Sequence, residues 1–281
     1  MPLYEKAPAK INLCLNVLRK RDDGFHEMEM LMTPVDLADR LTFDLHENDI
    51  VLDSSSSFMP LDERNIVYKA AQLLKETFQV SQGVEIFIEK NIPIAAGLGG
   101  GSSDAAAALR GLNNLWQLDL TLDELAHLGE QIGSDVPFCV YNQTAFVSGR
   151  GEIVNPIASF PKAWVILVKP PKGISSWTVF KDLKIKDLPH YDITSMKSKI
   201  EEHAFQEAVK YAGNALEVQA SRQNPLILEV KKKMLQFGAE TALMSGTGPT
   251  VFGLTQNQKK ATRIVNGLKG FCREVYLVRT L

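Results

Sequence analysis

Apolar and polar residues alternate along residues 10–18 (KINLCLNVL). Ile11, Leu13, Leu15 and Val17 fall on one face, and Lys10, Asn12, Cys14 and Asn16 on the other. A period of two predicts a strand with one face in the core and Lys10, Asn12 and Asn16 together on the polar face. Residues 84–90 (VEIFIEK) repeat the alternation, and 40–45 (RLTFDL) read as a further strand. Between them, 64–78 carry the 3.6-residue apolar spacing of an amphipathic helix. The 84–90 strand runs into a glycine-rich segment and then an alanine-rich helix. Thr121-Leu122-Asp123-Glu124 is a capping box that opens a helix over 122–132, ended by the Gly133-to-Pro137 turn. Strand-like segments follow at 138–148 and 163–169, and the break at 170–173 (PPKG) marks a change of organisation.

The remainder reads as helices over 195–211, 213–220 and 225–237, a strand–turn–strand over 241–254, a helix near 257–268 and a strand over 274–280. Helices mixed with strands in this way imply an α+β protein, with a ferredoxin-like sandwich in the second half. A boundary near residue 156 divides an N-terminal domain, 1–156, from a C-terminal one, 157–281.

With 281 residues, 45% of them hydrophobic, the chain can bury an ordinary core. Its 31 basic and 33 acidic residues are interspersed and sum to −2, so no basic field exists to gather nucleic acid or an anionic membrane. Any anionic ligand must be held locally. No apolar run reaches the roughly 18 residues of a membrane span, and residues 11–18 are interrupted by Asn12 and Asn16, unlike a leader. Three widely spaced cysteines, Cys14, Cys139 and Cys272, suit reduced thiols and a cytoplasmic location. Metal chemistry has little support, because His26-Glu27 is followed by Met30 where a zinc motif needs a second histidine.

The local anion site is the segment 93–107 (PIAAGLGGGSSDAAA), with four glycines in the five positions 97–101. Glycine lets the backbone take positive φ and approach a ligand closely. The alanine run that follows places the segment at a helix N-terminus, where unpaired N–H groups favour phosphate. Ser102 and Ser103 add hydroxyls. The bland alternative is a tight turn between strand and helix. The spacing is not that of a P-loop, nor of a dinucleotide fingerprint, since Ser102 occupies the third glycine position. Asp104 likewise breaks the serine-hydrolase elbow.

P-x-x-x-G-L-G-G-G-S-S-D-A-A at 93–106, A-P-A-K-I-N-L at 7–13 and S-G-T-G-P-T at 245–250 together resemble the three motifs of the GHMP kinases. D-G-F-H at 23–26 and I-G-S-D-V-P-F at 132–138 are similar to the branch that phosphorylates the 2-hydroxyl of cytidine diphosphate methylerythritol. The resemblance spans essentially the whole chain. It implies a two-domain GHMP kinase fold, with a ribosomal-protein-S5-like α/β domain followed by the ferredoxin-like α/β sandwich. It implies Lys10 and Asp135 as catalytic residues, Asp135 taking the acceptor proton and Lys10 favouring the incipient alkoxide and phosphoryl charge. ATP is the implied co-substrate, with Mg²⁺, bound by Pro93, Ile94, Ala95, Ala96, Gly97, Leu98, Gly99, Gly100, Gly101, Ser102 and Ser103, with Asn65 near the adenine. The small-molecule substrate falls to Asn12, His26, Phe25 and Phe180, the rings of Phe25 and Phe180 flanking the base. Position 25 is Phe where this branch has Tyr, and Trp177 is a second aromatic candidate beside Phe180. Taken alone, Asp135 reads as a turn aspartate, Lys10 as a solvated lysine and Asn65 as an N-cap. Other readings are a GHMP kinase for another acceptor, or a silent relative that binds ATP and a metabolite. The oligomeric state is open between monomer and homodimer.

Overall fold

The computed structural model describes residues 2–181 and 183–281, which divide into two compact units. Unit 1 takes Met1–Ala9, Leu37–Ile94 and Gly99–Asn142; unit 2 takes Lys10–Asp36, Ala95–Leu98 and Gln143–Leu281. Two long strands contribute to both: β1, Leu3–Lys20, and β2, His26–His46.

Unit 1 adds β3 (Ile50–Ser54), α1 (Ile66–Thr77), β4 (Gly83–Glu89), α2 (Gly100–Leu115), α3 (Leu122–Glu130) and α4 (Val136–Tyr141). Its sheet runs β3-β4-β2-β1, with β3 parallel and β2 antiparallel to β4. The alternation in β4 acts as the pattern predicts: Val84, Ile86 and Ile88 are fully buried. So are Leu41 and Phe43 opposite them, and the apolar stripes of α1 (Val67, Ala70, Ala71, Leu74) and α2 (Ala105 to Leu109, Leu112). Helix α2 lies so near the sheet that a Cβ at Gly111 would come within 2.6 Å of the Phe43 ring. Helix α3 starts on the expected capping box: Glu124 N–H donates to Thr121 Oγ1, and Thr121 N–H donates to Glu124 Oε2.

Unit 2 adds β5 (Ala145–Gly149), β6 (Ile153–Pro156), β7 (Trp164–Lys169), α5 (Ser176–Lys181), α6 (Ile193–Glu201), α7 (Phe205–Ala208), β8 (Gly213–Asn214), α8 (Glu217–Gln223), α9 (Leu226–Phe237), β9 (Thr241–Met244), β10 (Val251–Thr255), α10 (Gln258–Lys269) and β11 (Glu274–Arg279). β5 pairs antiparallel with β2, β6 with β5, and β8 lies parallel to β1 through Cys14 and Leu15. A separate antiparallel sheet runs β11-β7-β10-β9. With α9 before β9 and α10 between β10 and β11, this is the β-α-β-β-α-β ferredoxin-like arrangement, and α5 to α8 are inserted after its first strand.

Three local expectations change. Residues 136–141 are helical, so the strand expected over 138–148 is only Ala145–Gly149. The run VPFCVY is apolar throughout, Pro137 sits in the first turn where its missing N–H costs nothing, and Asn142 closes the helix in the left-handed region at φ 51°. The helix expected over 213–220 starts only at Glu217, because Gly213 and Asn214 join the sheet. The helix expected over 195–211 breaks after Glu201.

Candidate active site

In unit 2 the polar face of β1 is not a solvated face. Lys10 is 4% exposed, Asn12 0% and Asn16 1%. The Lys10 ammonium donates to Asn12 Oδ1 at 2.9 Å, and Asn12 Nδ2 donates to Met30 Sδ at 3.3 Å. The Lys10 N–H is taken by Leu98 O at 3.0 Å, which ties the start of this segment to the glycine-rich loop. The turn between β9 and β10 carries S-G-T-G-P-T and completes the group. Ser245 Oγ donates to Gly97 O at 2.9 Å, and Thr250 N–H donates to Ala96 O at 3.3 Å. Gly246 has φ 56°, and a Cβ there would lie 3.2 Å from Gly97 O, 3.5 Å from Asn12 Oδ1 and 3.6 Å from Lys10 Nζ. The first motif, the loop and the last motif, far apart in sequence, therefore meet around Lys10.

The loop has a specific backbone. Ala95, Gly97 and Gly99 all take positive φ, at 52°, 76° and 68°. Gly97 has no room for a side chain, since a Cβ would lie 2.5 Å from Ser245 O and 2.9 Å from Gly248 O. Gly99 is the left-handed N-cap of α2 and offers no side-chain cap, leaving the first-turn N–H groups for another acceptor. Gly100 and Gly101 are already helical, and their smallness serves packing on Ile92 and Ile66. Pro93 and Gly97 are half-buried, Ile94 exposed, Ala96 and Leu98 buried, and Ser102 partly exposed. The Ser103 hydroxyl donates to Pro8 O at 2.7 Å, which orients its lone pairs.

In unit 1, Asp135 precedes α4 and is half-buried, and its carboxylate makes no cap bond to that helix. Asn65 caps α1 in full: Oδ1 accepts the Val67 N–H at 2.9 Å and Nδ2 donates to Pro60 O at 2.8 Å. It is 5% exposed.

In unit 2, His26 at the start of β2 stacks on Phe180 of α5, ring centroids 4.9 Å apart at 25°. Burial, and secondarily the Lys20 charge, push the imidazole pKa below its ordinary value. Phe25 is half exposed and carries the Arg150 guanidinium 5.2 Å from its ring centre. Trp177 is 66% exposed and faces the Lys181 ammonium at 4.8 Å, so it is no core residue.

The family profile "GHMP kinases N terminal domain" matches residues 65–143, and "GHMP kinases C terminal" matches 191–274. A 4-diphosphocytidyl-2-C-methyl-D-erythritol kinase of Enterococcus faecalis is 53% identical over 282 residues, covering both chains whole. One of Bacillus subtilis is 51% identical, covering all of this chain and 98% of that protein. The chain belongs to the 4-diphosphocytidyl-2-C-methyl-D-erythritol kinase family of GHMP kinases. A crystal structure of a 4-(cytidine 5'-diphospho)-2C-methyl-D-erythritol kinase superposes with TM-score 0.83 at 31% identity, over 99% of each chain. A homoserine kinase of Cytophaga hutchinsonii, at TM-score 0.76 and 20% identity, shares the fold.

Two supports of the last motif had no signal in the motifs themselves. Asn214 of β8 donates to Met244 O and Gly246 O, both at 2.8 Å, and fixes the last motif from beneath. Glu217, 8% exposed, accepts from Met244 N–H at 3.0 Å and from Lys231. The N-A-L-E run at 214–217 was legible only as helix. As for Mg²⁺, no cluster of three His, Cys, Asp or Glu exists among the described residues to cage a cation. The hydroxyl-bearing side chains at the start of α2 are Ser102, partly exposed, and Ser103, buried, and these could supply oxygen ligands to a cation that arrives with a nucleotide. Among the described residues, no helix is long and apolar enough to cross a membrane.

Proposed function

We propose that this chain transfers the γ-phosphoryl group of ATP to the 2-hydroxyl of 4-diphosphocytidyl-2-C-methyl-D-erythritol, a step in non-mevalonate isoprenoid synthesis. The observation that carries this reading is the full-length likeness to kinases of that name, joined to a buried Lys10 whose ammonium donates to Asn12 and faces Gly246.

Phosphoryl transfer needs little covalent chemistry from the protein and much positioning and charge stabilisation. Residues 93–103 hold the ATP phosphates on backbone N–H groups at the start of α2, whose macrodipole favours the anion. Ser102 and Ser103 would offer hydroxyl oxygens to Mg²⁺ arriving with the nucleotide, which would supply neutralisation of phosphate charge. Asn65 shapes the adenine side as the cap that fixes residues 60–67. Lys10 stabilises the transferring group and the forming ester oxygen, and its bond to Asn12 keeps the ammonium aimed while Asn12 also meets the acceptor. Asp135 orients the acceptor hydroxyl and takes its proton late, because a carboxylate is a far weaker base than the alkoxide it would generate. The half-exposed Phe25 and the ring of Phe180 flank the cytosine, and neutral His26 reads its edge. His26 lies on Phe180 in this structure, so its ring turns aside to admit the base. The cut near residue 156 separates the nucleotide-loop half from the ferredoxin-like half.

The reading is tested by phosphorus NMR of the product. A new phosphomonoester signal beside an unchanged cytidine diphosphate pair, with inhibition by CDP against the acceptor, is the expected result. Equal turnover of acceptors without a base, insensitive to CDP, would assign the chain to another GHMP activity.

A further inference from the structure

We propose that Lys90, Asp39 and Asp104 are positioning residues for the nucleotide, a buried ionic clamp that closes the base of the glycine-rich loop and holds its backbone ready for phosphate. This rests on the nucleotide role proposed above for residues 93–103.

Lys90 follows β4 directly and its side chain is 7% exposed. Its ammonium donates to Asp39 Oδ2 and, at 2.6 Å, to Asp104 Oδ2. Asp39, on β2 and fully buried, turns its other oxygen to the chain just downstream of Lys90, accepting the N–H groups of Asn91 at 2.5 Å and Ile92 at 2.8 Å. Asp104, 1% exposed, lies one turn into α2. One ammonium and two carboxylates thus join the chain where it leaves the sheet to the chain where it enters the helix, and residues 93–103 are the arc between. The two ends meet closely, for a Cβ at Gly100 would stand 3.0 Å from Ile92 Cγ2 and 3.6 Å from Lys90 Nζ.

A cluster of this kind is a poor source of stability. Desolvating three charges is costly, and apolar replacements for buried ion pairs are often neutral or better. Asp104 Oδ1 has no hydrogen-bond partner among the described residues. Burial pushes the Asp104 carboxyl well above the usual range although Lys90 opposes the shift. What the cluster does supply is geometry. A loop whose ends are fixed loses less conformational freedom when it closes on phosphate, and affinity gains accordingly.

Asp104→Asn keeps the volume and a neutral acceptor for Lys90, and Asp104→Ala removes the bond. Calorimetry with ADP on the purified chain is expected to show a dissociation constant raised about tenfold in the alanine variant and about threefold in the asparagine variant, from the ordinary strength of a hydrogen bond to a charged group against a neutral one. The KM for ATP should follow, while kcat and the acceptor KM stay within about twofold. Wild-type ADP affinity in a folded Asp104→Asn and in Asp104→Ala would overturn the proposal, whatever their melting temperatures. If Asp104→Ala fails to fold, the asparagine variant decides alone. Absence of ADP binding by the unaltered chain would instead remove the nucleotide role of the loop, and the clamp with it.

Discussion

Replacing Gly246 by alanine should damage catalysis far more than stability. The residue sits at φ 56°, so a side chain there pays the left-handed penalty of about 1–2 kcal/mol. The new methyl would meet Gly97 O at 3.2 Å, which a shift of a few tenths of an ångström relieves, and Asn12 Oδ1 and Lys10 Nζ at 3.5 and 3.6 Å, which are ordinary contacts. Nothing is displaced, yet one side of the Lys10 ammonium becomes covered by carbon. A transition-state oxygen approaching from that side loses a charge-assisted donor, an effect of about 100-fold in kcat. Gly238→Ala is the control: it also lies at positive φ, 109°, and its Cβ meets side-chain atoms of Arg263 and Lys260 rather than Lys10 or Asn12. Urea unfolding and steady-state ADP release on both variants separate the two effects. Both should lose about 1–2 kcal/mol, and only Gly246→Ala should lose activity. A Gly246→Ala variant that folds and turns over within threefold of the unaltered chain would refute the placing of the reaction at Lys10.

His26 gives a pH signature. Its folded pKa lies below the ordinary value of 6.5, first through burial and then through Lys20, so in the window just below 6.5 the unfolded chain binds the proton more readily. Its contribution to stability is therefore whole above pH 6.5 and is lost as pH falls through the folded pKa. A proton NMR titration should find a midpoint below 6.5, with the acceptor KM rising on acidification and the ATP KM not following it. Asn65→Ala removes a cap and a bond to Pro60, which should lower stability by about 1–2 kcal/mol in denaturant titration. A raised ATP KM with undiminished stability would make Asn65 a ligand contact rather than a cap. Thr121→Ala opens the capping box of an exposed helix end, and should cost about 1 kcal/mol with no change in kcat.

Much of the frame was legible because its signals are local. The capping box at Thr121, the stripe of α1 and the alternation in β4 are each set by neighbours a few residues away. Strand β2 was visible only over 40–45 of its 21 residues. Met30 to Val35 are buried on both faces, and that erases the period-two pattern. For the same reason the polar face of β1 could not be told from a solvated one: Lys10, Asn12 and Asn16 look ordinary in sequence and are buried by segments far along the chain. Asn16 is closed by the backbone of Tyr191, 175 residues away. Asn214, Glu217 and the Lys90 clamp support motifs without belonging to one, and only tertiary packing shows them.

The central claim is tested most directly by following ADP release from Mg-ATP with 4-diphosphocytidyl-2-C-methyl-D-erythritol, mevalonate and homoserine as acceptors, with Lys10→Ala and Asp135→Ala run beside the unaltered chain. Turnover with the cytidine acceptor alone, lost in both variants although they fold, is the predicted result. Turnover that survives both substitutions, or that prefers an acceptor without a base, would contradict it.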